Sequence, residues 1–280
     1  MKITNKITTF LVALLLMNIN TFTQAKMDSE NNQQMNTESK IIEKNPIKMT
    51  VLYDNYVFTE GTKNAWGFSC FIEGTEKNIL FDTGGEDEIL MFNIDKLNIN
   101  TESVEMIVIS HNHWDHTGGL FTFFEKKSGI PVYLPHSFPE EFIDNVKDAG
   151  ASVILINEPA KICNGVYSTG EMEGRVNEQS LIVKTNKGIV VVTGCSHPGI
   201  VNIIKKAQEI MGEEIYLVFG GFHLKDHSIK ATKEIISQFR ELGVKKCGAT
   251  HCTGDKQINL FKEAYGNDYI EMGTGRVLEF

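Results

Sequence analysis

Residues 111–116 read His-Asn-His-Trp-Asp-His, which puts three imidazoles and a carboxylate within six positions. The cluster follows the apolar run Met106-Ile107-Val108-Ile109 and is closed by Thr117-Gly118-Gly119. A strand that runs out into a loop can aim alternate side chains at one point. His111 and His113 could therefore grip one metal ion, with Asp115 and His116 just beyond to hold a second. Imidazole together with carboxylate suits zinc, iron or manganese rather than calcium. A polar loop with solvent-exposed histidines is the plain alternative. It is outweighed because three of the chain's eight histidines fall in this one stretch.

Four further segments share a grammar of strand, reactive residue and small residues. Phe81-Asp82-Thr83-Gly84-Gly85 places Asp82 at a strand end, where it could orient a metal-bound histidine or touch the metal itself. An Asx-turn is the competing role for that residue. In Thr193-Gly194-Cys195-Ser196-His197-Pro198-Gly199, His197 is a candidate third ligand for the site begun by His111 and His113. Cys195 would point the same way if strand geometry persists, although a buried thiol packing under the turn weighs slightly more than ligation. Ala249-Thr250-His251-Cys252-Thr253-Gly254 gives His251 few reasons to lie at a strand end unless it meets the same centre. His223, in Phe219-Gly220-Gly221-Phe222-His223-Leu224, could bind metal, contact substrate or stand behind a ligand. His136 and His227 lack such a context and read as surface residues.

Regular elements must position these groups. Strands are expected at Met49–Tyr53, Gly67–Ile72, Asn78–Phe81 and Val104–Ile109, and helices at Glu86–Leu97, Gly118–Lys126 and Pro139–Ala149. The second half repeats the scheme. Strands are expected at Ser152–Ile156, Ser180–Val183, Ile189–Val192 and Tyr216–Phe219, with helices at Pro198–Met211, Ile229–Leu242 and Asp255–Tyr265. Strands and helices mixed in each half imply sheets covered by helices, an α/β (α+β) chain. Two such halves packed sheet to sheet give four layers.

The beginning of the chain reads differently. Lys2 and Lys6 precede a short apolar stretch, Ile7–Leu16, and Ala25 ends the segment, so residues 1–25 read as a secretory signal peptide. The apolar core is short against the ~20 residues a bilayer span needs. Export, periplasmic or secreted in a bacterium, is the expected location. Residues 26–47 are rich in Asn, Gln, Ser, Glu and Lys and are expected to be a flexible polar linker. The folded domain then spans 48–280. The net charge of -9 becomes -11 once residues 1–25, with two lysines and no acid, are removed. No run of basic residues stands out, which argues against nucleic acid and, after cleavage, against a membrane as partner. Five cysteines at scattered positions suggest no disulfide framework.

With these motifs in order, the chain resembles the metallo-β-lactamase fold superfamily. The resemblance rests on Phe81-Asp82-Thr83-Gly84, on His111-x-His113-x-Asp115-His116 and on His197 and His251, and it covers roughly residues 48 to 280. The later motifs are similar to one branch, whose members are labelled 7,8-dihydropterin-6-methyl-4-(β-D-ribofuranosyl)aminobenzene-5'-phosphate synthase or simply metal-dependent hydrolase. The resemblance implies an αββα sandwich with two divalent metal ions, zinc first and iron or manganese as alternatives, along one edge of the paired sheets. It implies His111, His113 and His197 for one ion and Asp115, His116 and His251 for the other. The chain departs from many members by carrying Cys195 where an Asp bridges both metals. It also has Glu178 in the region of a further histidine, so Glu178 joins Cys195 and His223 as residues for substrate contact or ligand support.

The function expected is hydrolysis of an ester, lactone, amide or phosphoester of a small-molecule substrate. Asp115 would orient the attacking water and take a proton, and Asp82 would orient a ligand imidazole. Two alternatives stand beside it: the branch's synthase-type transfer, and a metal- or ligand-binding protein that has lost catalysis. The oligomeric state has no signature in the sequence.

Overall fold

The structure is a computed structural model, and it describes residues 46–280. The expected signal peptide over 1–25 and all but the end of the expected linker over 26–47 lie outside the described residues. The folded part opens where Ile47 pairs with the last residue: its N–H donates to the Phe280 carbonyl at 3.1 Å, and Phe280 N–H donates back at 2.9 Å.

Two sheets face each other. The first holds β1 (Lys48–Tyr53), β2 (Ser69–Glu73), β3 (Ile79–Phe81), β4 (Met106–Val108), β5 (Pro131–Pro135), β6 (Ser152–Ile156) and β13 (Val277–Glu279), in the order β13-β1-β2-β3-β4-β5-β6. The second holds β7 (Ala160–Cys163), β8 (Val166–Ser168), β9 (Leu181–Thr185), β10 (Gly188–Thr193), β11 (Ile215–Gly221) and β12 (Lys246–Thr250), in the order β12-β11-β10-β9-β8-β7. Strands β3 to β6 run parallel, as do β10 to β12, and the remaining pairs are antiparallel.

The layering follows from the two-residue period of a strand. In β3, Ile79 and Phe81 face the second sheet while Leu80 joins the helices outside. In β10, Val190 and Val192 face inward while Ile189 and Val191 point to the opposite helical layer. Helices α1 (Asp87–Lys96), α3 (Leu120–Lys126) and α4 (Glu140–Asp148) cover the first sheet through Leu90, Ile94, Leu120, Phe123, Ile143 and Val146. A single turn, α2 (Trp114–Thr117), sits at the edge. Helices α5 (Ile200–Met211), α6 (Ile229–Glu241) and α7 (Asp255–Tyr265) cover the second sheet. In α5 the buried residues Ile200, Ile203, Ile204 and Ala207 recur at helical spacing, and Gly212 ends the helix in the left-handed conformation. Ser228 opens α6 by accepting the Ala231 N–H. The result is the four-layer αββα sandwich expected from the sequence. No described helix is long and apolar enough to cross a membrane.

The structure departs from the expected elements in several places. The short antiparallel strands β7 and β8 were not foreseen. Neither was β5, whose prolines at both ends, Pro131 and Pro135, mask its strand character. Ser152–Ile156, read as part of the second half, is the outer strand of the first sheet, paired in parallel with β5. Its largely exposed pattern fits an edge strand. Phe219 of β11 is fully buried between the sheets, with its ring edge to Phe68 at 6.5 Å. Phe219→Ala is expected to destabilise the fold by about 3–5 kcal/mol, read as a lower denaturation midpoint with an unchanged slope.

Candidate metal centre at the strand ends

Parallel strands leave their carboxyl ends on one edge, where α/β sheets tend to build sites. Asp82 follows β3, Ser110 and His111 follow β4, Cys195 and His197 follow β10, His223 follows β11 and His251 follows β12. Side chains from both sheets meet there. The approach demands unusual backbone: Asp82, Ser196, His223 and His251 all have positive φ, between 52° and 67°. Strain of that kind persists only where surrounding contacts enforce it. A Cβ on Gly194 would run into Ser110 Oγ, so glycine there lets the β10 loop close on the β4 loop.

One donor cluster comprises Asp115, His116, Cys195 and His251. Cys195 Sγ lies 3.3 Å from His116 Nε2 and 3.4 Å from His251 Nε2. Asp115 Oδ2 lies 3.6 Å from the former nitrogen and 3.3 Å from the latter. Four ligands about 2.0–2.3 Å from one zinc ion at tetrahedral angles would stand roughly 3.3–3.6 Å apart. The donor set therefore fits a divalent ion. The other cluster gathers around His113: its Nδ1 lies 3.0 Å from His111 Nε2 and 3.3 Å from His197 Nε2. One proton cannot satisfy three converging ring nitrogens, whereas a cation takes all three lone pairs. Cys195 Sγ is within 4.8 Å of His111 and His197 donors too, so the sulfur belongs to both clusters.

Behind the ligands, hydrogen bonds set which ring nitrogen faces inward. Asp82, fully buried, accepts from Ser110 N–H and Ser110 Oγ–H, both at 2.7 Å, and from His116 Nδ1 at 2.7 Å. Because Ser110 Oγ donates to Asp82, it accepts from His111 Nδ1 at 2.9 Å. Asn55 Oδ1 accepts from His251 Nδ1 at 2.9 Å. In each case the hydrogen bond at Nδ1 turns Nε2 towards the cluster. His197 differs, since its buried Nδ1 has no partner. Glu178 carries the His197 turn from below, accepting the N–H groups of Cys195, Ser196 and His197 at 2.7–2.9 Å. It is 1% exposed, so its place is under the loop and not at the mouth. Burial pushes its carboxyl up to about 7.

Charge separates the two clusters. Burial and the neighbouring imidazoles push His111 well down and His197 down to about 3, and burial lowers His113. These three are neutral at pH 7. Burial also disfavours charge on His116, but the Asp82 carboxylate outweighs it and raises the imidazole to about 9. Burial pushes Asp115 up, yet the His251 hydrogen bond and the His116 and His251 charges hold it well below the usual carboxylate range. An ion entering the Asp115 cluster must displace the His116 proton. Affinity there is expected to rise with pH towards pH 9, and an ion at either cluster that takes the Cys195 sulfur, whose thiol burial pushes well up, must release that proton as well. Zinc titration of metal-stripped protein in weak buffer, with proton release recorded, checks both.

The structure brings all the expected residues to this edge. The His223 ring lies tilted at 51° against His197 with ring centroids 4.3 Å apart, and positive φ at Ser196 breaks the strand geometry between Cys195 and His197. Trp66, 5.2 Å from His251 between ring centroids, and the exposed Trp114 flank the mouth. Lys225 Nζ stands 4.9 Å above the Trp66 ring. The sequence carries no sign of the supporting roles of Ser110 and Asn55. Ser110 borders the histidine cluster. Asn55 lies 196 positions from His251, beyond any local spacing.

The Metallo-beta-lactamase superfamily profile matches residues 67–182. The 7,8-dihydropterin-6-methyl-4-(beta-D-ribofuranosyl)-aminobenzene-5'-phosphate synthase of Methanocaldococcus jannaschii is 33% identical over 284 residues, covering 84% of this chain and 97% of the relative. The chain belongs to the metallo-β-lactamase superfamily. Among solved structures, a metal-dependent hydrolase of the β-lactamase superfamily is 29% identical with a TM-score of 0.72, covering 84% of this chain and 99% of that one. The metallo-β-lactamase fold protein YhfI from Bacillus subtilis, 17% identical with a TM-score of 0.64 over 85% of this chain and 100% of its own, shares the fold.

Proposed function

We propose that this chain is a binuclear metal-dependent hydrolase, acting on an ester, lactone, amide or phosphoester. The observation that carries this reading is the pair of donor clusters joined at Cys195, with the Asp115 carboxylate in one of them beside His116 and His251. Divalent ions held there, zinc before iron or manganese, would supply a water of lowered pKa and draw electrons from the bond under attack. The chain's own groups do the rest. Asp115, held ionised, orients the water and accepts its proton. Asp82, through His116 and through Ser110 to His111, fixes two ligand rings in position. His223, exposed beside His197, and Lys225 above Trp66 meet the substrate at the mouth. The likeness to a metal-dependent hydrolase along nearly all of that chain supports the reading.

A second reading, synthase-type transfer, is favoured by the 33% identity to the M. jannaschii synthase over 97% of its length. One experiment separates the two. Zinc-loaded full chain is offered aryl phosphodiesters, aryl esters, amides and lactones, and separately a dihydropterin that bears a leaving group on its 6-methyl carbon together with a ribofuranosylaminobenzene phosphate. Metal-dependent cleavage supports hydrolysis, and a coupled product of the summed skeleton supports transfer. Full metal content with neither outcome would mean a protein that binds without turnover. Export with cleavage after Ala25 is proposed alongside, and N-terminal sequencing of protein from the cell exterior tests it.

A further inference from the structure

Cys195 faces two ways. Its sulfur meets His116 and His251. Cys252 lies against the same residue, its Sγ donating to the Cys195 backbone carbonyl at 3.5 Å. The two sulfurs and a His223 ring nitrogen lie within 4.8 Å of one another. Gly221 makes this approach feasible, since a Cβ there would stand 2.7 Å from Cys252 Sγ. Cys70, Cys163 and Cys247 are built into the apolar cores, whereas neither Cys195 nor Cys252 belongs to any of the three. Apolar packing therefore does not account for this pair.

We propose that Cys195 and Cys252 form a redox pair, joined as a disulfide by a peroxide, which withdraws the sulfur shared by both donor clusters. In the first step one thiolate attacks a peroxide oxygen; an S–O bond forms, the O–O bond breaks, and water leaves after protonation. The second thiol then attacks that sulfur, the S–S bond forms, the S–O bond breaks, and a second water leaves. Two thiols lose two electrons and two protons to one hydrogen peroxide. Disulfide formation needs the sulfurs about 2.05 Å apart, so the pair must close from its present separation of within 4.8 Å. Linkage runs both ways: oxidation lowers ion affinity, and a bound ion that holds Cys195 protects the pair. The inference goes beyond hydrolysis and holds whichever reaction the centre performs.

The test uses full-length chain, metal-stripped and zinc-loaded, treated with hydrogen peroxide, alkylated and digested without reduction. The expected result is a Cys195–Cys252 linked peptide in stripped protein, reversed by dithiothreitol, with linkage about tenfold slower or more in the loaded form. Zinc content should fall as the link forms. Cys252→Ser should keep its zinc and yield no linked peptide. Linkage of other cysteines, sulfinic acid on Cys195 with Cys252 still a thiol, or a linked protein that retains its full zinc would each overturn the proposal. A link in protein that never takes up zinc would support the pair and overturn the metal reading instead. If Cys252→Ser does not fold, the wild-type peptide map decides alone.

Discussion

Asp115→Asn is expected to cut turnover by about 10²–10⁴-fold while leaving the fold intact. The side chain is the only carboxylate in the donor clusters and sits 3.3 Å from His251 Nε2 and 3.6 Å from His116 Nε2. Asn keeps the size but loses the charge that both imidazoles face. The amide cannot accept the proton of an attacking water, and as a ligand it is weaker than the ionised carboxylate. Metal content should fall from near two ions per chain to near one, with the His113 cluster retaining its ion. Steady-state kinetics on whichever substrate the panel identifies, beside elemental analysis of the same sample, measures both effects. Unchanged turnover in the variant would remove Asp115 from the chemistry.

Asp82→Ala is the second large effect. Three buried donors, Ser110 N–H, Ser110 Oγ–H and His116 Nδ1–H, lose their common acceptor. Each stranded donor costs roughly 1–3 kcal/mol, so the variant should unfold at markedly lower denaturant. Loss of support behind a ligand histidine typically costs 10–100-fold in metal affinity, and His116 loses its orienting partner outright. Asp82→Asn separates the roles. Its carbonyl oxygen can still take the Ser110 N–H, but its amide cannot accept from His116 Nδ1. Most of the stability should return while metal affinity at the Asp115 cluster stays low. Equal recovery of both would mean that Asp82 serves the fold alone.

The histidine cluster, the strands before it and the four layers were legible because they are local signals. Alternation in β10 and helical spacing in α5 declare which face is buried, and a reactive residue after each strand declares which edge carries the site. What the sequence hides is long-range. Asn55 and His251 meet only because β1 and β12 end on the same edge. Glu178 takes its place under the His197 turn through three backbone N–H groups that no motif encodes. Cys195 was weighed as a buried thiol under its turn, and positive φ at Ser196 breaks the strand geometry that would have aimed it. The turn instead delivers its sulfur between His116 and His251. The prolines that bracket β5 signal a boundary and hide the strand between them.

The most direct test of the central claim is metal content per chain by elemental analysis, on full-length protein purified without chelator, beside His113→Ala and His251→Ala. Two neighbouring ions held by two clusters require near two zinc, iron or manganese ions in the wild type and a loss in each variant. A correctly folded wild type that carries no metal and takes up none when it is supplied would contradict the account.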